Sequence, residues 1–352
     1  MSEQDTGRTS KPAFRGEAGL QRASAAAKAL WWTAGGAAAR AIARPGKGEP
    51  AFQSETPAPS SAALRRSYLE AFDKDARDVA AGLYPARPSG PPRPDAAVRI
   101  ALDLLADAKS VDSRRRRRGA TDVRDEISSD AYPTYYRQNF HFQSGGWFTP
   151  ESARRYDAQV ETLFAGAAGA MRRRALSLLA QAWKGKDQRG LTVVDAACGS
   201  GAFVADLKAA FPRARVAGVD LSAAYLAETR ARTGAGVAQA NVERLPFADA
   251  SLDAVTCIYL FHELPPRVRP VVAAEFARVL KPGGVLAFAD SLQASDAPEL
   301  ARLLEAFPAL FHEPYYGTYQ ETDLPALFEG AGLKLRGADS AFFTKALLLE
   351  KV

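Results

Sequence analysis

Apolar and polar positions change their pattern near the middle of the 352-residue chain. From Leu191 onward, short apolar runs alternate with amphipathic stretches, which predicts strands alternating with helices. The predicted strands cover 191–195, 215–220, 237–240, 252–258, 285–290, 333–337 and 342–350. The predicted helices between them lie at about 201–211, 223–232, 266–280 and 322–331. Short apolar strands in this alternation are typical of a doubly wound α/β sheet buried on both faces.

Before Leu191 the pattern is helical. Apolar residues recur at helical spacing in stretches that cover 17–43, 64–83, 95–106, 150–164 and 169–183. The dense aromatics of 132–148 end in a Gly145-Gly146 pair that suits a lid hinge. We therefore expect four segments along the chain. They are a mobile or loosely helical tail over 1–59, a helical extension with an arginine-rich loop over 60–130, an aromatic lid with helices over 131–190, and an α/β domain over 191–352.

Charge is distributed unevenly around a formal net value of +6. Residues 191–352 hold 15 Lys and Arg against 19 Asp and Glu, so the positive excess belongs to residues 1–190. A basic half is compatible with nucleic acid or an anionic surface as partner. The run Arg114–Arg118 is interpreted first as a solvated face and second as a phosphate contact.

Composition narrows the class of protein. Cys198 and Cys257 cannot form a disulfide framework, and no apolar stretch reaches the roughly 20 residues of a membrane helix. These features predict a soluble, cytoplasmic protein. Organelle targeting by the Ala- and Arg-containing tail is the alternative, against which the acidic residues Glu3, Asp5 and Glu17 argue.

Two motifs point to a nucleoside ligand. The first strand runs into the small-residue loop DAACGSG, which begins at Asp195, and the second strand ends in GVDLS with Asp220. Such a loop lets the backbone approach a ligand and aims helix N-terminal amides at it. A carboxylate at 220 can accept hydrogen bonds from ribose hydroxyls. Two alternatives remain at this point: Asp220 caps the next helix, or the loop serves a dinucleotide.

Two further motifs, NVERLPFADASLDAV and FARVLKPGGVLAFAD, complete a set of four. With them, residues 191–352 resemble the class I S-adenosylmethionine-dependent methyltransferases. The resemblance implies a seven-stranded Rossmann-like sheet, mostly parallel with the last strand antiparallel, behind an N-terminal helical extension. It also implies S-adenosylmethionine as cofactor.

The same resemblance implies a set of cofactor-binding residues. They are Asp195, Ala197, Cys198, Gly199, Gly201, Asp220, Leu221, Asn241, Val242, Glu243 and Tyr259. Two positions depart from the family pattern. Ala197 replaces a glycine, which is tolerated if its φ stays negative. Asn241 replaces a common Asp, and its amide oxygen or Glu243 can take over the contact with adenine.

Direct displacement of the methyl group needs positioning and, for many acceptors, a base. The candidate catalytic residues are His262, His141, His312, Glu263 and Tyr315, with His262 first because it follows the fourth strand. Each histidine can instead be structural. The histidines are separated by 121 and 50 residues and show no ligand spacing, so the sequence predicts no metal site.

The expected function is methyl transfer to a small-molecule acceptor, lipophilic or aromatic in character. The basic N-terminal half keeps an RNA or protein methyltransferase as the first alternative. The acidic α/β domain and the lack of a recognisable RNA-binding module argue against nucleic acid. A non-catalytic cofactor-binding scaffold is the second alternative.

Overall fold

The computed structural model describes residues 12–43, 52–87, 94–117, 119–127, 129 and 131–352. The helices before the sheet are α1 (Pro12–Ala43), α2 (Ser61–Ala80), α3 (Pro94–Arg117), α4 (Val123–Glu126), α5 (Pro150–Leu163) and α6 (Ala168–Ala182). The strands are β1 (Thr192–Ala196), β2 (Arg215–Asp220), β3 (Gly236–Gln239), β4 (Leu252–Ile258), β5 (Leu280–Ser291), β6 (Leu333–Ala341) and β7 (Thr344–Lys351). The helices among them are α7 (Ala202–Ala210), α8 (Ala223–Thr233), α9 (Arg269–Val279), α10 (Ala301–Leu310), α11 (Tyr316–Gln320) and α12 (Leu324–Gly330).

The seven strands form one sheet in the order β3-β2-β1-β4-β5-β7-β6. Strands β1 to β5 are parallel, and β7 lies antiparallel between β5 and β6. This confirms the predicted seven-stranded, doubly wound sheet with an antiparallel last strand. Strand order reverses between β1 and β4, and ligands of such sheets bind outside the carboxyl ends of the strands at that point.

Most predicted elements from 191 onward match the observed ones to within a few residues, and β2 and β4 match at both ends. The exceptions are the edges of β5 and β6 and the segment 291–321. Here α10 and α11 form where the sequence predicted neither. Pro308 lies inside α10, and the residue before it is biased away from helix, so the periodicity is hard to recognise.

Helix α1 is docked, whereas the sequence predicts a mobile or loosely helical tail. Its Gln21 amide donates to Asp75 Oδ2 on α2 at 2.6 Å, and Trp32 is buried. The Asp75 carboxylate also receives two hydrogen bonds from the Arg173 guanidinium of α6, at 2.6 and 2.7 Å. A bidentate pair of this kind is geometrically specific and ties α2 to α6, and Gln21 attaches α1 to the same carboxylate.

The arginine run forms the end of α3, and three of its described members pair with carboxylates of the protein. Arg114 donates to Asp122 at 3.1 Å and to Ser144 Oγ at 2.8 Å. Arg116 pairs with Asp112, and Arg117 also pairs with Asp122. Arg118 lies outside the described residues. Among the helices that the structure describes, none is long and apolar enough to cross a membrane.

Candidate active site

The loop between β1 and α7 turns sharply at three residues. Ala197, Gly199 and Gly201 have φ values of +58°, +54° and +78°. The expectation that Ala197 keeps a negative φ is therefore wrong, because the turn requires a left-handed residue there. For a residue with a Cβ, that conformation costs about 1–2 kcal/mol. A Cβ at Gly199 would stand in open space, so the loop leaves room for a ligand.

Asp220 sits at the carboxyl end of β2, opposite this loop. Its Oδ2 accepts from Gly199 N at 2.9 Å, and its Oδ1 accepts from Ser222 N at 2.8 Å. Burial raises the pKa of the Asp220 carboxyl. Ser222, whose side chain accepts from Tyr225 N, caps α8. Each carboxylate oxygen retains a lone pair for a hydroxyl donor, which is the role that the sequence predicts.

The loop, Asp220 and the end of β4 enclose a cavity, called here the cofactor pocket. Its lining includes the predicted residues Ala197, Gly199, Asp220, Leu221, Asn241, Val242, Tyr259 and Glu263. It also includes residues that the sequence did not assign to the cofactor, namely Tyr135, Tyr136, Trp147, Tyr156, Ser222, Tyr225, Ala240, Ile258, Leu260 and Leu264. The flat apolar side chains and the carboxylate suit a nucleoside.

Three of the predicted cofactor residues support the loop from behind. Asp195 is buried and accepts from Thr256 Oγ1 at 2.6 Å, and burial raises its pKa to about 7. Cys198 packs so closely on Gly218 that a Cβ there would meet its sulfur at 2.7 Å. At Gly201 a Cβ would meet Thr229 Oγ1 at 2.8 Å. These residues shape the loop and do not line the pocket.

Asn241 and Glu243 form a closed pair beside the pocket. Asn241 Nδ2 donates to Glu243 Oε1 at 2.9 Å, and Glu243 N donates to Asn241 Oδ1 at 3.0 Å. The same Glu243 oxygen accepts from the Tyr135 hydroxyl at 2.6 Å. Asn241 lines the pocket, whereas Glu243 holds Tyr135 of the aromatic segment against it.

The aromatic segment 132–148 forms part of the wall of the cofactor pocket and is called here the lid. The rings of Trp147, Tyr156 and Tyr225 contact one another edge to face, with centroids 5.5–5.6 Å apart. The Tyr136 hydroxyl is buried in the lining and has no hydrogen-bond partner among the described residues. Buried polar groups are normally satisfied, so this hydroxyl and the open space at Gly199 fit a polar ligand. The residues present therefore fit a nucleoside cofactor.

A second cavity, of about 360 Å³, adjoins the first and is called here the apolar cavity. It shares Tyr156, Tyr259 and Glu263 with the cofactor pocket. The rest of its lining is mostly aliphatic and aromatic. These residues are Leu64, His141, Val160, Leu163, Phe164, His262, Ser291, Leu303, Leu304, Ala306, Phe307, Leu310, Phe311, Tyr316, Phe342 and Phe343.

Polar groups gather at the junction of the two cavities. His262 Nδ1 lies 2.5 Å from Asp290 Oδ1, and Asp290 Oδ2 accepts from Phe261 N at 2.7 Å. Burial lowers the pKa of His262, but the Asp290 carboxylate outweighs it and raises that pKa to about 10. Burial, with the positive charge of His262 nearby, lowers the pKa of His141 to about 3. Because a carboxylate only accepts, His262 donates through Nδ1 and is oriented by Asp290.

The predicted catalytic residues fall into two groups, those that line a cavity and those that do not. His262, His141 and Glu263 line the apolar cavity. His312 and Tyr315 line neither cavity: His312 Nε2 lies 2.8 Å from Gln138 Oε1, and the Tyr315 hydroxyl accepts from the same amide group at 3.3 Å. Both side chains meet the Gln138 side chain of the aromatic segment, and a catalytic role for His312 and Tyr315 stays a prediction.

Sequence reasoning missed Asp290, although a signal was present. Asp290 is a carboxylate near the carboxyl end of a buried strand, as are Asp195 and Asp220. Since the carboxyl ends of parallel strands share one edge of the sheet, all three belong to the same side of the molecule.

The strand order and this site define a class of protein. Residues 193–284 match the family model described as a methyltransferase domain. Together with the antiparallel β7 and the pocket at Asp220, this match identifies a class I S-adenosylmethionine-dependent methyltransferase domain within the chain. S-adenosylmethionine is the cofactor of that domain.

Named relatives are similar over part of their length. The fatty-acid O-methyltransferase of Mycolicibacterium smegmatis is 34% identical over 125 residues, which cover 35% of this chain and 45% of that protein. The demethylmenaquinone methyltransferase of Beutenbergia cavernae is 34% identical over 176 residues, which cover 50% and 64%. The chain thus spans about half to two thirds of these relatives. A crystal structure of a SAM dependent methyltransferase from Aquifex aeolicus is 17% identical and covers 58% of this chain and 100% of that chain, with a TM-score of 0.42.

Proposed function

We propose that the protein transfers a methyl group from S-adenosylmethionine to a small lipophilic acceptor bound in the apolar cavity. The observation that carries this proposal is the junction at Tyr156, Tyr259 and Glu263, three residues that line both the apolar cavity and the cofactor pocket. The cofactor, when bound, supplies an electrophilic methyl group on its sulfonium sulfur. The protein's part is to hold the acceptor in line and to exclude water.

The side chains divide this work. Asp220 and the backbone around Gly199 hold the nucleoside, and the lid covers it. The aliphatic and aromatic walls bind the acceptor by burying its apolar surface, which is worth about 0.8 kcal/mol for each methylene. His262, oriented by Asp290, is the residue we assign to binding and orienting a polar atom of the acceptor at the junction.

The named relatives support a lipophilic acceptor. By their names, one acts on fatty acids and the other on demethylmenaquinone, and both compounds join a polar head to a long apolar chain. The apolar cavity has polar groups at His262 and Glu263, and the rest of its lining is mostly apolar. This distribution matches a molecule with a polar head and an apolar chain. Arg114, Arg116 and Arg117 pair with Asp122 and Asp112, which compensates part of the positive charge that a nucleic-acid acceptor would need.

The test is a methyl-transfer assay on the full chain with methyl-labelled S-adenosylmethionine. Long-chain fatty acids and demethylated prenyl quinols are compared with short polar analogues of the same head groups and with total RNA. We expect the long-chain compounds to react about tenfold faster or more than their short analogues, because two buried methylenes already supply the roughly 1.4 kcal/mol of a tenfold change. Equal rates with short and long compounds, or transfer to RNA alone, would contradict the proposal.

A further inference from the structure

We propose that His141, Glu263 and Glu313 bind a divalent transition-metal ion at the junction of the two cavities. The ligand atoms of these three residues all lie within 4.8 Å of one another. His141 Nε2 is 3.1 Å from Glu313 Oε1. The sequence argument against a metal rests on separation along the chain, and folding removes that separation.

The Glu313 carboxylate supplies an independent observation. Its side chain is fully buried, and both of its oxygens lack a hydrogen-bond partner among the described residues. A buried carboxylate without hydrogen bonds is costly, and buried charges are ordinarily paired or bound to a metal. A second carboxylate, Glu263, faces the same space, and His262, whose Nε2 lies 4.0 Å from Glu263 Oε1, is already paired with Asp290 at 2.5 Å.

The donor set selects the kind of ion. One imidazole nitrogen and two carboxylates suit Zn²⁺, Fe²⁺ or Mn²⁺ better than Ca²⁺ or Mg²⁺, which prefer oxygen ligands alone. Bonds of about 2.1 Å in a tetrahedral site place ligand atoms about 3.4 Å apart, so the three groups need to close by no more than about 1.5 Å. His262 lies beside the cluster and is not one of its three ligands.

Such an ion would be placed to bind the acceptor. Glu263 lines both cavities, and His141 lines the apolar cavity. A metal held there would bind an oxygen of the acceptor head group as a Lewis acid and fix it at the junction. This role rests on the proposed function, whereas the binding of the ion does not.

The experiment measures metal binding by the full chain in the absence of cofactor and acceptor. The purified protein is stripped with a chelator and titrated with Co²⁺, whose visible absorption reports coordination, and with Zn²⁺ by calorimetry. The variants are Glu313→Gln and His141→Gln, and the matched control is Glu329→Gln, an exposed carboxylate of α12 outside the cluster. Thermal melting and S-adenosylmethionine binding establish that each variant is folded.

We expect one ion per chain, an affinity lowered about tenfold or more in both cluster variants, and an unchanged affinity in Glu329→Gln. If the folded wild-type chain binds no stoichiometric ion, or if the cluster variants bind it as well as the control, the two carboxylates share a proton only and the proposal is overturned. Methyl transfer that persists in the metal-free protein would overturn the Lewis-acid role alone. If the wild-type chain does not bind S-adenosylmethionine, the proposed function is refuted instead.

Discussion

The cofactor pocket and the apolar cavity touch each other but are built in different ways. The pocket takes its key groups from short loops at the ends of β1 and β2, where a backbone amide and one carboxylate meet at 2.9 Å. The apolar cavity collects side chains from α2, α5, α10 and the β6–β7 turn. Few polar side chains line it that could orient a bound molecule. The first cavity is specified by local chain geometry, and the second by how distant helices pack.

The largest loss of ligand affinity is expected from Asp220→Ala, which changes the cofactor pocket and leaves the lining of the apolar cavity intact. Hydrogen bonds to a charged group contribute about 1.5–3 kcal/mol each, so losing the carboxylate should weaken S-adenosylmethionine binding about a hundredfold. Calorimetry measures this, and binding of a fluorescent fatty acid to the apolar cavity should remain. Asp249→Ala, at an exposed position, is the control. An unchanged cofactor affinity in Asp220→Ala would place the nucleoside elsewhere.

The complementary change fills the apolar cavity. Leu303→Trp adds an indole to the lining, and we expect methyl transfer to a long-chain acceptor to fall about tenfold through a higher KM while cofactor affinity stays within about twofold. Leu335→Trp on the exposed face of β6 is the matched control. If Leu303→Trp lowered cofactor affinity as much as transfer, the two cavities would not be separable.

This contrast also explains how much the sequence could predict. Asp220 and Gly199 were identified because a strand end and a small-residue loop are local signals, and the structure brings them together. His141 and Glu313 are 172 residues apart, and nothing in their local patterns indicates that they meet. Helix α10, which supplies much of the apolar wall, was missed at Pro308. Tertiary packing alone determines these features.

A smaller effect is expected where the lid joins the cofactor pocket. Tyr135→Phe removes the 2.6 Å hydrogen bond to Glu243 and retains the ring. One bond to a charged acceptor, partly exposed, corresponds to a five- to tenfold loss at about 1–1.4 kcal/mol. We expect cofactor affinity to fall by that factor through faster dissociation, measured by stopped-flow fluorescence. Tyr132→Phe, in the same segment, should leave the dissociation rate unchanged, and an equal change in both variants would argue against a lid contact.

The smallest predicted effect tests whether local geometry really governs the cofactor loop. The left-handed backbone of Ala197 costs about 1–2 kcal/mol, and Ala197→Gly removes this strain. Glycine has more conformational freedom in the unfolded chain, so it loses more entropy on folding, which costs about 0.5–1 kcal/mol. The balance predicts a gain of no more than about 1 kcal/mol, seen as a rise in Tm of about 1–3 °C in a chain of this size. Cofactor affinity should be unchanged, because the loop already has the conformation that glycine adopts freely. A lower Tm would mean that the packing of the Ala197 methyl group stabilises the fold by more than the backbone strain destabilises it. The loop, like the apolar cavity, would then depend on side-chain packing.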